Sequence, residues 1–418
     1  MNLTYSIATF IYFSLLITTS YSQLDSAHWM PPLHSRDITQ VEDHYVYLSS
    51  PDTVPFLVTV ANGSGQQIVG SPFTLSNSSP VKIIISSTQV PVTELIVPID
   101  SLNKVLKSSG LTFTASKKFY ANFRVRSQAQ AGSLTSKGSI AKGTVFRSGS
   151  MPQLADQTYR NFVTGIMATE DNTTIQISDY DTNVVFDGIP TVILNTLNIN
   201  LDEHECYVVS GYTNTVANQQ GFVGALIESD KPIIVSTGNM CGSISSNSGL
   251  QDIGIDQIVP LNQVGTQYIL IKGDGTPDQE RPLVIAHYDS TIIFVNGNPT
   301  AIDTINAGDW HLVNNAYYTG IGHKNMYVST SKPVYMFQPL AGAYNDATPG
   351  MNFIPPFSCA MTKEVDLIPA IDSIGISAYS GAIIALTETG SDLTVNGILQ
   401  SGAETITGLS GWETYKIT

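Results

Sequence analysis

The stretch at residues 229–239 reads SDKPIIVSTGN, and it decides the fold because it recurs along the chain. A second copy at residues 330–338 reads TSKPVYMFQ, and a looser copy at residues 115–124 reads ASKKFYANFR. Each copy contains a lysine, then a run of apolar residues and then a turn that contains glycine. A phrase that returns at a long interval indicates a repeat architecture.

Three other phrases recur in a fixed order around the lysine phrase. In the first, a strand runs into an acidic or Asn-bearing turn and a Thr-bearing strand follows, which predicts a β-hairpin. Two copies of this phrase close on Asn-Gly, which is a further tight-turn signal. A Gly-aromatic strand comes next, and a Pro-bearing loop with a Gly-Thr strand follows the lysine phrase. The hairpin phrase lies at residues 168–177, 286–297 and 385–397, and the Gly-aromatic strand at 306–313 and 409–417.

The spacing of the phrases predicts the fold class. Lys117, Lys231 and Lys332 lie 114 and 101 residues apart. We therefore expect an all-β chain of tandem β-sandwich-like repeats of about 100 residues, with a β-propeller-like closed array as the alternative. Because proline has no N–H, we expect Pro232 and Pro333 at the first position of a strand or on an edge, with the preceding lysine in solvent.

The order of the phrases also predicts the domain boundaries. One short helical turn at residues 101–109 is the only helix candidate. The last copy stops after its Gly-aromatic strand, so the sequence is either a piece of a longer protein or its terminal strands complete the first unit. The expected segments are a signal peptide (1–22), a lead-in (23–44), three β repeat units (45–164, 165–283 and 284–382) and a partial fourth unit (383–418).

Composition excludes some partners. The 418 residues carry a net charge of −15, and only 13% of them are charged. A chain this acidic has no basic stripe for nucleic-acid phosphates or for anionic lipid. The abundance of Thr, Ser, Asn, Val and Ile is typical of β-rich proteins.

The N-terminus predicts secretion. Residues 7–19 form an apolar run of signal-peptide length, and small residues follow at 20–22. No later stretch is long enough and apolar enough to span a bilayer, so we expect no membrane insertion after signal cleavage. The sequons at Asn62, Asn77 and Asn172 are expected glycosylation sites in such a compartment.

Three cysteines occur in the chain, at Cys206, Cys241 and Cys359. In an oxidising compartment the nearest pair, Cys206 and Cys241, is the candidate disulfide, which leaves one cysteine over. Their spacing contains no CxxC element, so a zinc site is not expected.

Motifs for chemistry are sparse. The sequence lacks the HExxH, GxSxG, Walker and GxGxxG patterns, so we expect no catalytic residue and no bound cofactor. The acidic loop at residues 273–280 is the weak exception, because Asp274, Asp278 and Glu280 offer oxygen ligands that suit Ca²⁺. Their spacing differs from that of an EF-hand loop.

The phrases together resemble the N-terminal domain family named for the IgG-Fc-binding protein. The resemblance rests on residues 229–242, 252–270, 330–342 and 351–359, which resemble the family's motifs in their amino-acid sequences and in their order along the chain. It implies a module of secreted, mucus-associated or cell-surface proteins that binds or adheres without catalysis. It does not by itself transfer the binding of antibody Fc to this chain.

We therefore expect a secreted module that recognises an extracellular protein or glycoprotein through loops and strand edges. Repetition of the units would add avidity. One alternative is a glycan hydrolase with carboxylates in a cleft between repeats, which requires two acids that face one pocket. The other alternative is a structural matrix or coat protein, which self-association would reveal.

Overall fold

A computed structural model gives the fold of this chain. It describes residues 23–35, 41–87, 92–127, 130–154, 160–189, 195–246, 250–342, 350–357, 364–365, 368–379 and 381–418. The expected signal peptide and Cys359 lie outside the described residues.

Three seven-stranded antiparallel sheets follow one another along the chain, and all three have the same strand order. In each sheet one strand of 16 or 17 residues pairs with four others. The first sheet holds β1 (Asp25–Met30), β2 (His44–Ser49), β3 (Phe56–Asn62), β4 (Phe73–Leu75), β5 (Val81–Ser86), β6 (Leu111–Ser127) and β7 (Gln130–Thr135). The second holds β8 (Gly143–Arg147), β9 (Asn161–Ala168), β10 (Thr173–Ser178), β11 (Leu197–Leu201), β12 (Cys206–Tyr212), β13 (Leu226–Gly242) and β14 (Asp252–Ile258).

The third sheet and the C-terminal strands complete the described fold. The third sheet holds β15 (Gly265–Ile271), β16 (Leu283–Ala286), β17 (Thr291–Val295), β18 (Asp303–Ile305), β19 (Trp310–Leu312), β20 (Asn325–Leu340) and β21 (Gly350–Phe353). Then come β22 (Ser373–Ile374), β23 (Ser377–Ala378), β24 (Ile383–Glu388), β25 (Thr394–Val395), β26 (Ile398–Leu399), β27 (Glu404–Ile406) and β28 (Leu409–Ile417). The helices are α1 (Val216–Gln220) and four 3-10 turns (Ile99–Ser101, Gly138–Ala141, Leu261–Gln263 and Asn315–Tyr317). The all-β repeat architecture is therefore confirmed, whereas the helical turn expected at residues 101–109 is not formed.

The lysine phrase lies in the middle of the long strand, where that strand changes partners. In β13, residues 226–229 pair with β8 and β10, and residues 233–242 pair with β9 and β14, while β8 reaches past the break to Ile233. At the lysine phrase, three residues of each long strand pair with no residue of a neighbouring strand. These are residues 116–118, 230–232 and 331–333. The expected strand start at the proline is wrong. Proline fits here because its missing N–H falls in the short break in the ladder.

Each repeated lysine ties the break to a nearby loop. The Nζ atom of Lys231 donates to the Asp171 carbonyl at 2.5 Å, and that of Lys332 donates to the Asp289 carbonyl at 2.6 Å. The Lys117 ammonium forms the matching contact with the Asp52 carboxylate at 2.8 Å. All three acceptors lie in the loop between the second and third strands of their sheet, so the repeated lysine is a structural element of the fold.

The hairpin predicted between β9 and β10 is wrong. Both strands are antiparallel to β13 and lie one after the other along it, with Ala168 opposite Ile233 and Ile175 opposite Ser229. A turn signal alone does not say whether the next strand returns beside the first or continues past it. The Asn-Gly turns are confirmed, because Asn396 and Gly397 join the paired strands β25 and β26 with φ angles of 50° and 77°.

Consecutive sheets share their cores. Val334 and Met336 of β20 point into the core of the third sheet, whereas Tyr335 and Phe337 join the core of the second sheet. The second sheet in turn contributes residues of β9, β12, β13 and β14 to the first core. Strands buried on both faces read as continuous apolar runs, which explains the composition of the lysine phrase.

The sheets start earlier in the chain than the predicted units. Strand β1 lies in the segment expected to be a lead-in, and it pairs with β6 from Asp25 to Met30. The predicted boundaries at 164/165 and 283/284 fall within β9 and β16. The Gly-Thr strand therefore opens a sheet instead of closing one.

The last strands form a separate fourth sheet in the order β24-β28-β27. They do not complete the first sheet, which already contains seven strands of its own. The fourth sheet packs on the third through the buried Asn325, whose Nδ2 donates to the Thr405 carbonyl at 3.0 Å and to Thr414 Oγ1 at 2.8 Å.

Candidate binding groove

An open groove of about 520 Å³ lies between the second and third sheets. One wall comes from the loop after β10 and the end of α1, and the other from the turn between β18 and β19. The turn belongs to the Gly-aromatic phrase of the sequence. The polar and aromatic side chains that line the groove are Asp179, Asp181, Gln220, Asp309 and Trp310.

The buried Arg147 joins the second sheet to the third beside the groove. Its side chain is 2% exposed, and its Nη1 atom donates to Asp179 Oδ2 at 3.0 Å and to the Gly224 carbonyl at 2.9 Å. Its Nε atom donates to His287 Nδ1 of the third sheet at 3.3 Å. A buried guanidinium needs such partners, and they fix the relative position of the two sheets at this point.

His287 is neutral in this arrangement. Burial lowers the pKa of His287, and the adjacent Arg147 cation lowers it further. Because Arg147 Nε is a donor, His287 Nδ1 must accept and its ring proton sits on Nε2. The histidine therefore acts as a hydrogen-bond acceptor for the arginine.

Two glycines allow the walls to approach each other. A Cβ atom on Gly224 would lie 2.2 Å from the Gly308 carbonyl oxygen, and both glycines have positive φ angles, 84° and 82°. The contact requires glycine at Gly224, since any larger residue there would push the sheets apart, and the positive φ angle favours glycine at Gly308 of the Gly-aromatic phrase.

The other two carboxylates stand at the rim of the groove. Asp181 Oδ1 accepts from the Asn183 backbone N–H at 2.8 Å, and Asp309 Oδ2 accepts from the Asn306 N–H at 3.0 Å. Asp309 and Asp181 are exposed, and the half-buried Trp310 provides an aromatic surface beside them. This arrangement suits cationic or hydroxyl-rich groups of a ligand.

A smaller cavity of about 250 Å³ lies where β7, β14 and β21 meet the segment at residues 371–379. Arg124 fills its polar side. The guanidinium donates to the carbonyls of Pro369 at 2.9 Å, of Ser373 at 3.0 Å and of Ala370, and it lies 4.1 Å from the centre of the Tyr47 ring. Arg124 therefore anchors this segment to the first sheet.

The three residues proposed for calcium do not converge. The buried Glu280 accepts from the backbone N–H groups of Gly273, Gly275 and Ala341. Asp278 and Asp274 bind elsewhere, the first to Ser245, Ser246 and Arg281 and the second to Lys416. In the described part of the chain, no three His, Cys, Asp or Glu side chains come together as a metal site.

The predicted disulfide is wrong. Cys206 pairs across from Met167 and Cys241 across from Asn161, so the two lie at opposite ends of β9. Six residues along a strand span about 20 Å, whereas the Cα atoms of a disulfide lie within about 7 Å. Both cysteines are buried, and burial holds the pKa of the Cys206 thiol well above its ordinary value.

The three sequons all lie at turns. Asn172 is exposed in the turn after β9, and Asn77 is half-buried in the turn after β4. Asn62 ends β3, and its Oδ1 accepts from the N–H and hydroxyl groups of Ser64. Their glycosylation stays a prediction.

The residues of the groove were not predicted from the sequence, although one repeated phrase contains two of them. Asp309 and Trp310 belong to a repeated phrase, but the pattern did not distinguish a rim residue from a strand residue. Arg147 and Asp179 carry no motif, and they meet because β8 and β10 both pair with β13 at Leu226.

The fold is an all-β repeat architecture with an open groove between its second and third sheets. A family model described as IgGFc binding protein matches residues 131–418. The match covers most of the chain, and the chain belongs to this family, as its motifs predicted. The matched range begins within β7 and includes the second, third and fourth sheets and the whole groove. No curated protein and no solved structure matches the chain.

Proposed function

We propose that this chain is a secreted module that binds an extracellular protein or glycoprotein and performs no catalysis. The observation that carries the proposal is the family match over residues 131–418, which contains the open groove between the second and third sheets. A rigid scaffold that presents loops and a concave surface is typical of binding domains.

Exposed apolar residues at loop tips support a binding role. Val69, Ile321 and Ile376 are 99%, 99% and 97% exposed. Each is next to a glycine in a turn, where a large apolar side chain contributes nothing to the core. Such side chains increase the contact area with a partner.

The expected secretion rests on the N-terminal apolar run and on the sequons. The exposed Asn172 is accessible to a glycosyltransferase in its turn. No helix of the described residues is long and apolar enough to cross a membrane.

A pull-down of extracellular proteins with the glycosylated mature chain tests the proposal. We expect specific partners to be retained and the double variant Asp181→Asn, Asp309→Asn to retain less of them. Asp100→Asn, an exposed change outside the matched range, is the matched control and should behave as the parent chain. Retention of no protein or glycoprotein would overturn the proposal, and self-association in light scattering would favour the matrix alternative instead.

One observation favours a second candidate function. Asp179, Asp181 and Asp309 line one groove together with Trp310, as a glycan hydrolase with paired carboxylates would require. The test is cleavage of a polysaccharide panel by the parent chain and by the single variants at each aspartate. Cleavage that two of the three variants abolish would establish the hydrolase and exclude a pure binding role.

A further inference from the structure

The cavity of about 250 Å³ at the junction of β7, β14 and β21 is lined by a buried arginine. This residue is Arg124, and it is 7% exposed. Among the described residues no carboxylate forms an ion pair with it, whereas Arg126 on the same strand pairs with Glu42 and Asp43. Buried arginines are ordinarily paired with an acid, so the cavity contains a cation whose charge is not balanced by a neighbour.

In the described part of the chain, the guanidinium of Arg124 also has one N–H donor without an acceptor. Its Nε atom donates to Asn122 Oδ1 at 2.7 Å, and its two Nη atoms donate to the carbonyls of residues 369, 370 and 373. These four bonds go to neutral oxygens, and a guanidinium has five N–H groups. Burial lowers the pKa of Arg124, and Tyr47 and Asp372 oppose this effect only in part.

The lining of the cavity offers no competing acid. None of the described residues that line it is Asp, Glu, Lys or His, although the whole chain carries a net charge of −15. Two carboxylates close to it have partners of their own. Asp43 is paired with Arg126, and Asp252 accepts from the Ala131 N–H at 2.8 Å. An anion that enters the cavity therefore meets a cation and no lining carboxylate.

Apolar side chains form the walls beside the guanidinium. Ile253, Met351 and Ile374 line the cavity and are buried. Ile371 and Tyr379 also line it, and they are 56% and 38% exposed, so a ligand can reach the cavity from solvent on this side. The volume is below the roughly 300–1,000 Å³ of sites for drug-sized ligands, so the cavity fits a smaller group.

We propose that this cavity binds a carboxylate that is attached to a short apolar group. The carboxylate would accept from the remaining N–H group of Arg124, and its charge would balance that of the guanidinium. The apolar group would lie against the walls and displace water from them. A free aliphatic acid and the C-terminal residue of a polypeptide both have this chemistry.

This site is separate from the groove of the proposed function. The two share no lining residue. The groove presents three aspartates and therefore repels an anion, whereas the cavity presents a cation. The inference consequently does not rest on the proposed function, and a failed pull-down would leave it intact.

Calorimetric titration of the full chain with hexanoate and with hexanamide tests the inference at pH 7, where the acid is ionised. A second pair of probes is an N-acetylated tripeptide that ends in leucine, as the free acid and as the C-terminal amide. We expect at least one acid to bind about tenfold more tightly than its amide, because hydrogen bonds to charged groups are the stronger ones. Selective binding of hexanoate would assign the site to a free acid, and selective binding of the tripeptide acid would assign it to a polypeptide C-terminus. If neither acid binds more tightly than its amide, the inference is wrong.

A cavity-filling variant locates the binding. A Cβ atom on the lining residue Gly350 would meet no atom within 4 Å, so Gly350→Leu occupies the cavity without a backbone clash. Gly381 is exposed, has equal space at its Cβ position and does not line the cavity, so Gly381→Leu is the matched control. We expect about tenfold weaker binding of the acid by Gly350→Leu and unchanged binding by the control. Unchanged binding by Gly350→Leu would place the site elsewhere and overturn the inference.

The variant Arg124→Gln tests the charge by itself. It also loses contacts to residues 369–373, so it is judged by the ratio of acid affinity to amide affinity and not by affinity alone. We expect this ratio to fall to about one, because the cation that distinguishes the two probes is gone. A ratio equal to that of the parent chain would show that Arg124 does not recognise the carboxylate, and the inference would fail.

Discussion

The third and fourth sheets contain the same strand position in two different settings. β16 has the sequence LVIA and is fully buried, because β20 and β19 pair with both of its edges and two cores cover its faces. β24 begins IIAL and is half-buried to exposed along its length. The two sequences are equally apolar, so the difference in burial comes from the neighbouring strands and not from the strand itself.

The comparison extends to how sheets are held together. Complete sheets meet through buried, hydrogen-bonded charges, whereas the fourth sheet meets the third through the buried Asn325 and partly exposed pairs at its margin. The four predictions below test this difference, in order of expected effect.

The largest loss of stability is expected from a substitution where all three complete sheets meet. Lys137 Nζ lies 2.7 Å from Asp256 Oδ1, and Asp256 Oδ2 accepts from the Phe353 N–H at 2.9 Å. Burial raises the pKa of Asp256, so loss of the lysine leaves a charge in an apolar site. Lys137→Met should reduce the free energy of unfolding by about 3–5 kcal/mol. The matched change Lys416→Met breaks the partly exposed pair with Asp274 and should cost less than about 1 kcal/mol.

Chemical denaturation of the parent chain and both lysine variants measures this pair of effects. If the two variants lose equal amounts of unfolding free energy, the buried pair of Lys137 is no more important for stability than the partly exposed pair of Lys416, and the distinction between them is wrong.

The second prediction compares the two equivalent strands directly. Ile285 in β16 is 0% exposed and Ile384 in β24 is 37% exposed. Ile285→Ala should cost about 2–5 kcal/mol, because it removes buried methyl groups and leaves a cavity. Ile384→Ala should cost less than about 1 kcal/mol. Denaturation curves of the two variants provide the measurement, and a larger loss for Ile384→Ala would reverse our interpretation of the fourth sheet.

The third prediction concerns pH and the first sheet. Burial lowers the pKa of His44 from about 6.5 to about 4, with Asp43 acting weakly in the opposite direction. Between these values the unfolded chain binds a proton and the folded chain does not, so stability is full above pH 6.5 and falls as the pH drops to 4. The loss from this residue amounts to about 3 kcal/mol.

Unfolding of the parent chain and of His44→Leu between pH 7 and pH 4 checks this expectation. The variant should lose less stability over that range. A pH profile that is identical in the two proteins would show that His44 is not the titrating group.

The smallest effect is expected at the docking contact of the fourth sheet. Asn325→Ala removes two hydrogen bonds from the buried Nδ2 and should cost about 1–3 kcal/mol. The loss should appear as faster hydrogen exchange in β27 and β28, while the first sheet stays unchanged. Asn200→Ala, an exposed change on β11, is the control. Faster exchange in all four sheets would instead mean that the fourth sheet does not unfold separately.

Several features could be predicted from the sequence because they are local. The apolar runs and turn residues specified strands, and the recurrence of Lys117, Lys231 and Lys332 specified repeats. The tight turn at Asn396-Gly397 followed from the ability of these two residues to adopt positive φ. The family could also be predicted, because it depends on the order of the phrases and not on their contacts.

Three of the errors concern how strands pair. The sequence placed Pro232 at a strand start, joined β9 to β10 as a hairpin and paired Cys206 with Cys241. In each case the local signal was read correctly as a break, a turn or a nearby cysteine. The partner across the sheet decides what such a signal means, and one strand does not encode it.

By itself the sequence determined the β content, the number of repeated phrases, the acidic charge and the family of this protein, since each depends on residue type and order. The tertiary structure alone decided that the long strand changes partners at its lysine, that the second and third sheets close the core of the sheet before them, and that Asp179 and Asp309 line one groove. It also decided that, among the described residues, β24 pairs with β28 alone. The physical reason is that burial and pairing are properties of two or more segments at once, and their energies appear only when distant parts of the chain meet.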